Sequence, residues 1–341
     1  MNRYEAVEKR LRGIAFDRLW PGFHAYRFAL YDDRKVYLSD RVIPVDERFK
    51  GNTAIAFEGQ PLAIWNVATS PIRDADLFAS KLVHEMFHAH QMQEGETRFP
   101  DEFEALRLTY GADQLTHRFA EDQQLIAYLE NKDEKALDRL IGLRKSRRER
   151  YPRHLAYEER IEVVEGMAHY VEMLALKQLD RRLYERRLKE AIARLKARKS
   201  LVGMRARCYD SGALILLCFE NRIRASHGPL GREERTLLEI VDQGQTAVEH
   251  HAFDAGIVKV LSERMRERER IIDRMKNEAS YTREGSFRII GFDPLNSWVF
   301  RGMLYCEHFL MVEDAKGETH AITEPSLSFV DDELIIDRII Y

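Results

Sequence analysis

The chain has 341 residues, 45% of them hydrophobic, which is enough for a substantial core and for two domains or one large domain with an appendage. Its 54 Lys and Arg nearly balance 57 Asp and Glu, and a net charge of -3 gives no gross bias toward nucleic acid or a membrane surface. The first twenty residues mix charge throughout and no later run approaches membrane-spanning length. The sequence therefore predicts no secretory signal, no membrane span and a cytoplasmic location.

The first predicted element is a helix from Tyr4 to about Arg18. From Trp20 to Thr69 the chain is rich in aromatic and β-branched residues, cut by Pro44, Gly51, Gly59 and Pro61. It reads as strands, among them Ala25–Leu30, Lys35–Leu38, Ala54–Phe57 and Leu62–Val67. From Asp74 to about Asn277 apolar residues recur three and four apart in long charged segments broken by Pro100, Pro152 and Pro229, which predicts an almost wholly helical region. Within it Lys177–Lys199 is heavily basic, but Leu179, Leu183, Ile192 and Leu195 keep a helical stripe. A solvated amphipathic helix explains that segment better than a nucleic-acid surface.

From Tyr281 to Tyr341 the period returns to that of strands, over Phe287–Phe292, Trp298–Val312 and Ser326–Ile340. Turns are expected at Asp293-Pro294 and Ala315-Lys316-Gly317. The expected class is α+β, with a β-rich N-terminal lobe over 1–73, a mainly helical domain over 74–279 and a small β module over 280–341. The exposed edges of that module are suited to pairing with a protein partner.

The chemistry concentrates at His84-Glu85-Met-Phe-His88. Asp74 is placed to cap its helix and Gly95 to end it, so the motif falls in mid-helix. Residues four apart share a helix face, so His84 and His88 can offer imidazole nitrogens to one ion. Glu85 lies beside that face, suited to taking a proton from a water whose pKa zinc lowers to roughly 7. The three cysteines, Cys208, Cys218 and Cys306, are odd in number and lack C-x-x-C spacing. They argue against a disulfide framework or a thiolate zinc site, leaving histidines and carboxylates as ligands.

A hydrolytic zinc site needs a third protein ligand. The helix expected from about Arg153 to Asp180 carries Glu158, Glu162, Glu165, His169 and Glu172 along one polar stripe. For Glu158 and Glu162 the pattern reads as a wet helix face. Glu165 differs, because Gly166 and Ala168 beside it would let two helices approach closely, and a glycine inside a helix asks for a packing reason. His169, one turn on, is placed to meet substrate or oxyanion or to hold a ligand, and either Glu172 or Glu162 can accept from a ligand imidazole. His90 points nearly opposite to His88 and is expected off the ion, as a supporting or surface group.

These segments resemble the gluzincin metallopeptidases, especially the aminopeptidase N and leukotriene A4 hydrolase family. There an H-E-x-x-H motif precedes an N-E-G-F-A-x-Y-x-E segment, matched by Glu165-Gly-Met-Ala-His-Tyr-Val-Glu172, and Tyr209-Asp-Ser-Gly212-Ala-Leu is similar to that family's Y-x-x-G-A-L segment. The resemblance implies a zincin-like catalytic domain, Zn2+ as cofactor, His84, His88 and Glu165 as ligands, Glu85 as general base and Tyr209 as donor to the oxyanion. A phenol near the ion has that capacity on physical grounds also, although a buried tyrosine is as readily a core residue.

The match covers three short motifs between about residues 80 and 215, with altered spacings and Val164 where the family has Asn. No G-x-M-x-N segment is present to supply an amine-anchoring glutamate, so exopeptidase specificity does not carry over. Glu58 is a substitute anchor by position alone, and Thr53–Phe57 or Leu62–Val67 is the expected edge strand for an extended peptide. The sequence thus predicts a zinc-dependent peptidase acting on peptide or protein substrates, with neither nucleic acid nor membrane as partner. The alternative is a non-catalytic binding or regulatory protein on the same scaffold.

Overall fold

A computed structural model of the chain describes residues 3–248, 253–331 and 333–341. Helix α1 (Arg3–Leu11) stops earlier than expected, just before Gly13, and the chain resumes as a single 3-10 turn at Phe16–Arg18. Five strands follow, β1 (Arg27–Tyr31), β2 (Lys35–Tyr37), β3 (Val42–Pro44), β4 (Thr53–Phe57) and β5 (Gln60–Asn66), in the order β3-β2-β1-β5-β4. β1 runs parallel to β5, and the other pairs are antiparallel. β4 is therefore an edge strand and β5 is internal. Their connection, Glu58-Gly59, has φ of 53° and 75°, the left-handed pair that a two-residue hairpin turn requires.

Among the described residues ten α-helices succeed the sheet: α2 (Ala75–Gln93), α3 (Glu102–Arg107), α4 (Ala112–Asn131), α5 (Glu134–Arg150), α6 (Pro152–Leu179), α7 (Arg181–Lys196), α8 (Met204–Cys218), α9 (Glu220–Ser226), α10 (Leu237–Val241) and α11 (Ala255–Glu278). Local signals set their ends. Asp74 accepts from the amides of Asp76 and Leu77 at the start of α2, and Gly95 follows its last turn at φ 74°. The basic stretch from Lys177 to Lys199 is two helices, because the Asp180 carboxylate accepts from Arg182 and Leu183 and starts α7 afresh. Leu183, Ala191 and Leu195 bury its inner stripe. Phe28, Ala63 and Trp65 of the sheet share one core with Phe78, Leu82 and Met86 of α2 and with Val163, Met167 and Val171 of α6.

The C-terminal strands are β6 (Thr282–Phe292), β7 (Ser297–Phe300), β8 (Met303–Cys306), β9 (Leu310–Asp314), β10 (Thr319–Ile322), β11 (Ser326–Val330) and β12 (Ile335–Ile340). They form an antiparallel sheet in the order β10-β9-β6-β12-β11-β8-β7. Two expected long strands are thus each broken: Trp298–Val312 spans β7, β8 and β9, turned at Arg301-Gly302 with φ of 51° and 71°, and Ser326–Ile340 is a hairpin. The architecture is mixed α+β, with one sheet before the helices and one after. Among the described residues no helix is long and apolar enough to cross a membrane.

Candidate metal centre

Helices α2, α6 and α8 bring the motif residues together. A Cβ added to Gly166 of α6 would lie 2.6 Å from Gly212 Cα on α8, and one added to Gly212 would lie 2.5 Å from the Glu162 carbonyl oxygen. The two backbones therefore touch, which no side chain at either position would permit. This supplies the packing reason that Gly166 asks for, with α8 as the partner rather than the metal-motif helix. It also places Tyr209, one turn before Gly212, against the Glu165 side of α6.

The donors converge. His84 Nε2 is 3.1 Å from His88 Nε2, and Glu165 Oε2 is 3.5 Å from the first and 3.2 Å from the second. A tetrahedral zinc with bonds of about 2.0–2.1 Å separates its ligand atoms by about 3.3–3.4 Å, so this triangle fits such an ion in size and in donor type.

The opposite faces of the imidazoles fit it too. His88 Nδ1 lies 2.8 Å from Gln91 Oε1, and the Gln91 amide donates to the Val164 carbonyl at 3.0 Å, which fixes its oxygen toward the histidine. His88 thus carries its proton on Nδ1 and turns a lone pair at Nε2 inward. His84 Nδ1 sits 3.2 Å from Glu172 Oε2, though not well aligned for a hydrogen bond, and it has no other partner. Two imidazoles arranged this way point their inner nitrogens at one another, an unfavourable contact that a cation or a proton relieves.

Surrounding charge reinforces the same preference. Burial alone would lower the pKa of His84, but the adjoining carboxylates of Glu165 and Glu172 outweigh it and lift the group to about 9. Burial would raise Glu165, yet His88 and His84 hold it well below the ordinary carboxylate range. Glu85, 7% exposed, is different. Burial pushes its carboxyl upward, with His84 and His88 opposing and Glu165 assisting. Tyr209 is half-buried, its ring lies parallel to that of His84 at 6.1 Å, and desolvation of its hydroxyl together with Glu165 holds its phenol well above the ordinary tyrosine range.

The polar stripe of α6 divides into three environments. Glu172 takes Lys81 Nζ at 2.7 Å on one oxygen and His169 Nδ1 at 3.1 Å on the other. His169 Nε2 faces Asp210 at 3.6 Å, and Arg194 binds both oxygens of Asp210 at 2.7 Å. His169 is thereby hydrogen-bonded to Glu172 through Nδ1 and faces a second carboxylate with Nε2. Of the two acids, Glu172 lies beside His84 Nδ1 and Glu162 does not. The wet-face reading of Glu158 and Glu162 is overturned, since both are buried. Glu158 meets Arg118 at 3.1 Å and Arg147 at 2.7 Å, while Glu162 meets Arg118 at 2.9 Å, Arg144 at 2.8 Å and Ser211 at 2.7 Å. Charge on a helix stripe is satisfied equally by water or by arginines from neighbouring helices, and here α4 and α5 supply the arginines.

His90 lies apart from the three converging donors and is not at the surface. It is buried among Phe23, Phe87 and Tyr26, whose hydroxyl lies 3.1 Å from its Nδ1. Glu58 is not a free anchor, because its carboxylate pairs with Arg41 and with Arg27. Gln91, Lys81, Asp210 and Arg205, which bonds Glu165, escape the sequence reading. Of these only Gln91, three residues after His88 on the same helix, carries a local signal. No family model, curated protein or solved structure matches the chain.

Proposed function

We propose that the chain is a zinc-dependent peptidase of gluzincin type, with His84, His88 and Glu165 as ligands, Glu85 as general base and Tyr209 as oxyanion donor. The observation that carries this reading is the convergence of three donor atoms within 3.1–3.5 Å beside a buried carboxyl and a half-buried phenol. A zinc ion held there supplies a Lewis acid that polarises a carbonyl and makes water a nucleophile near neutral pH.

Glu85 accepts the proton of the attacking water and returns it to the departing amine, a shuttle that its upward-shifted carboxyl favours. Tyr209 donates to the carbonyl oxygen as negative charge develops, a contribution largest at the transition state. Gln91 and Glu172 orient the imidazoles. His169 holds Glu172 beside His84 through Nδ1, with its Nε2 turned toward Asp210. β4, the outer strand on the β5 side of the sheet that packs on α2, suits an extended peptide added through backbone hydrogen bonds. A peptide substrate and a cytoplasmic setting belong to this proposal.

The test is Glu85→Gln in the full chain. Wild type is expected to hold about one zinc per molecule and to cleave members of a peptide library. The variant is expected to keep the zinc and lose turnover by at least about a hundredfold. Full activity in the variant refutes the mechanism. Zinc binding without cleavage by wild type favours the non-catalytic alternative instead.

A further inference from the structure

Glu165 offers two oxygens, and the ligand triangle uses one. Its Oε2 faces the histidines, while its Oε1 accepts from Arg205 Nη2 at 2.9 Å. Arg205 lies on α8 one turn before Tyr209, with its guanidinium 6.0 Å from the Tyr209 ring centre and its side chain 12% exposed. Its other terminal nitrogen, Nη1, pairs with Glu102, the first residue of α3. Glu102 is itself fixed. Tyr157 donates to its second oxygen at 2.9 Å, and farther along α3 Phe103 meets Phe292 and Leu106 joins the core of the C-terminal sheet.

Resting on the zinc reading above, we infer that Arg205 is a positioning residue that makes Glu165 a one-oxygen ligand, with Glu102 as the strut behind it. A free carboxylate can bind a zinc ion through one oxygen or both. Using both here would break a charge-assisted hydrogen bond in a largely water-free setting, where such bonds are strongest. Glu165 is thereby kept to one coordination position, and the position that hydrolysis needs stays open. Substrate recognition by Arg205 is disfavoured, because both its terminal nitrogens are already held by carboxylates. The arrangement also links the metal centre to the C-terminal sheet through α3.

The experiment uses the full chain as wild type, Arg205→Ala, Arg205→Lys and Glu102→Gln. Zn2+ affinity is measured by chelator competition, the visible spectrum of Co2+-loaded protein reports coordination number, and the metal-free unfolding midpoint reports structure alone. Arg205→Ala is expected to lose about 10–100-fold in Zn2+ affinity and to shift the Co2+ spectrum toward higher coordination. Arg205→Lys should restore the spectrum, and Glu102→Gln should show a smaller loss of affinity in the same direction. Wild-type affinity and spectrum in Arg205→Ala overturn the inference. If Arg205→Ala does not fold, wild-type affinity and spectrum in Glu102→Gln overturn it instead. Absence of stoichiometric zinc in wild type is a different result and sinks the underlying reading.

Discussion

Gly166→Ala tests the contact on which the site's geometry depends. At an open helix position this substitution stabilises a protein by about 1 kcal/mol, because alanine is the better helix former. Here the new Cβ would stand 2.6 Å from Gly212 Cα and 3.0 Å from its carbonyl carbon. Carbon atoms prefer about 3.5–4.0 Å, so the shortfall is about 1 Å, and the atoms in the way are backbone and cannot rotate aside. Helices α6 and α8 must part. Overpacking of that kind costs about 1–3 kcal/mol, and the rigid neighbour puts this case near the upper end, for a net loss of about 2 kcal/mol after the propensity gain.

Parting the helices should also move Tyr209 away from Glu165, a displacement that can cost about a hundredfold in turnover. On the proposed reading zinc affinity should fall less than turnover, because His84, His88 and Glu165 lie on α2 and α6 and only Arg205, which bonds Glu165, moves with α8. Urea unfolding, zinc content and peptide turnover are the measurements. A Gly166→Ala protein as stable as wild type or more so, with unchanged turnover, refutes the claim that backbone contact at this crossing sets the site.

Further expectations follow from the same structure. Gln91→Leu removes the acceptor at His88 Nδ1 and should weaken Zn2+ binding by about 10–100-fold in chelator competition without altering far-UV circular dichroism. Arg144→Met strips Glu121, Glu159 and Glu162 of a shared buried partner and should cost about 3–5 kcal/mol in urea unfolding.

Burial would raise the Glu162 carboxyl, but Arg144 and Arg118 outweigh it and hold it at about 2. A carboxyl depressed on folding contributes stability that is fully present above its unfolded pKa of about 4.3, and that contribution disappears as pH falls toward 2. Unfolding midpoints measured between pH 5 and 2 should therefore fall more steeply for wild type than for a Glu162→Gln, Arg144→Met double variant. The three cysteines are free and buried, so an aromatic disulfide reagent should find essentially no fast-reacting thiol in native protein and all three after denaturation.

What the sequence determined by itself is what depends on neighbours a few residues away. Four-residue spacing put His84 and His88 on one helix face, Asp74 announced where that helix begins, and the return of a two-residue period announced the C-terminal strands. The segment around Glu165 was legible because a glycine inside a helix asks for a close packing partner, although the partner is Gly212 of α8 and not the helix of His84 and His88.

Tertiary structure decided what depends on another element. A stripe of glutamates has one appearance in sequence whether it meets water or arginines, so only the packing of α4 and α5 against α6 shows Glu158 and Glu162 to be buried ion-pair partners. His90 ended in an aromatic core because Phe23 and Tyr26 fold over it from far upstream. Arg205 reaches Glu165 across 40 positions of chain. Such contacts leave no periodicity to read, since their partners are chosen by how helices cross, and here a pair of glycines sets the crossing.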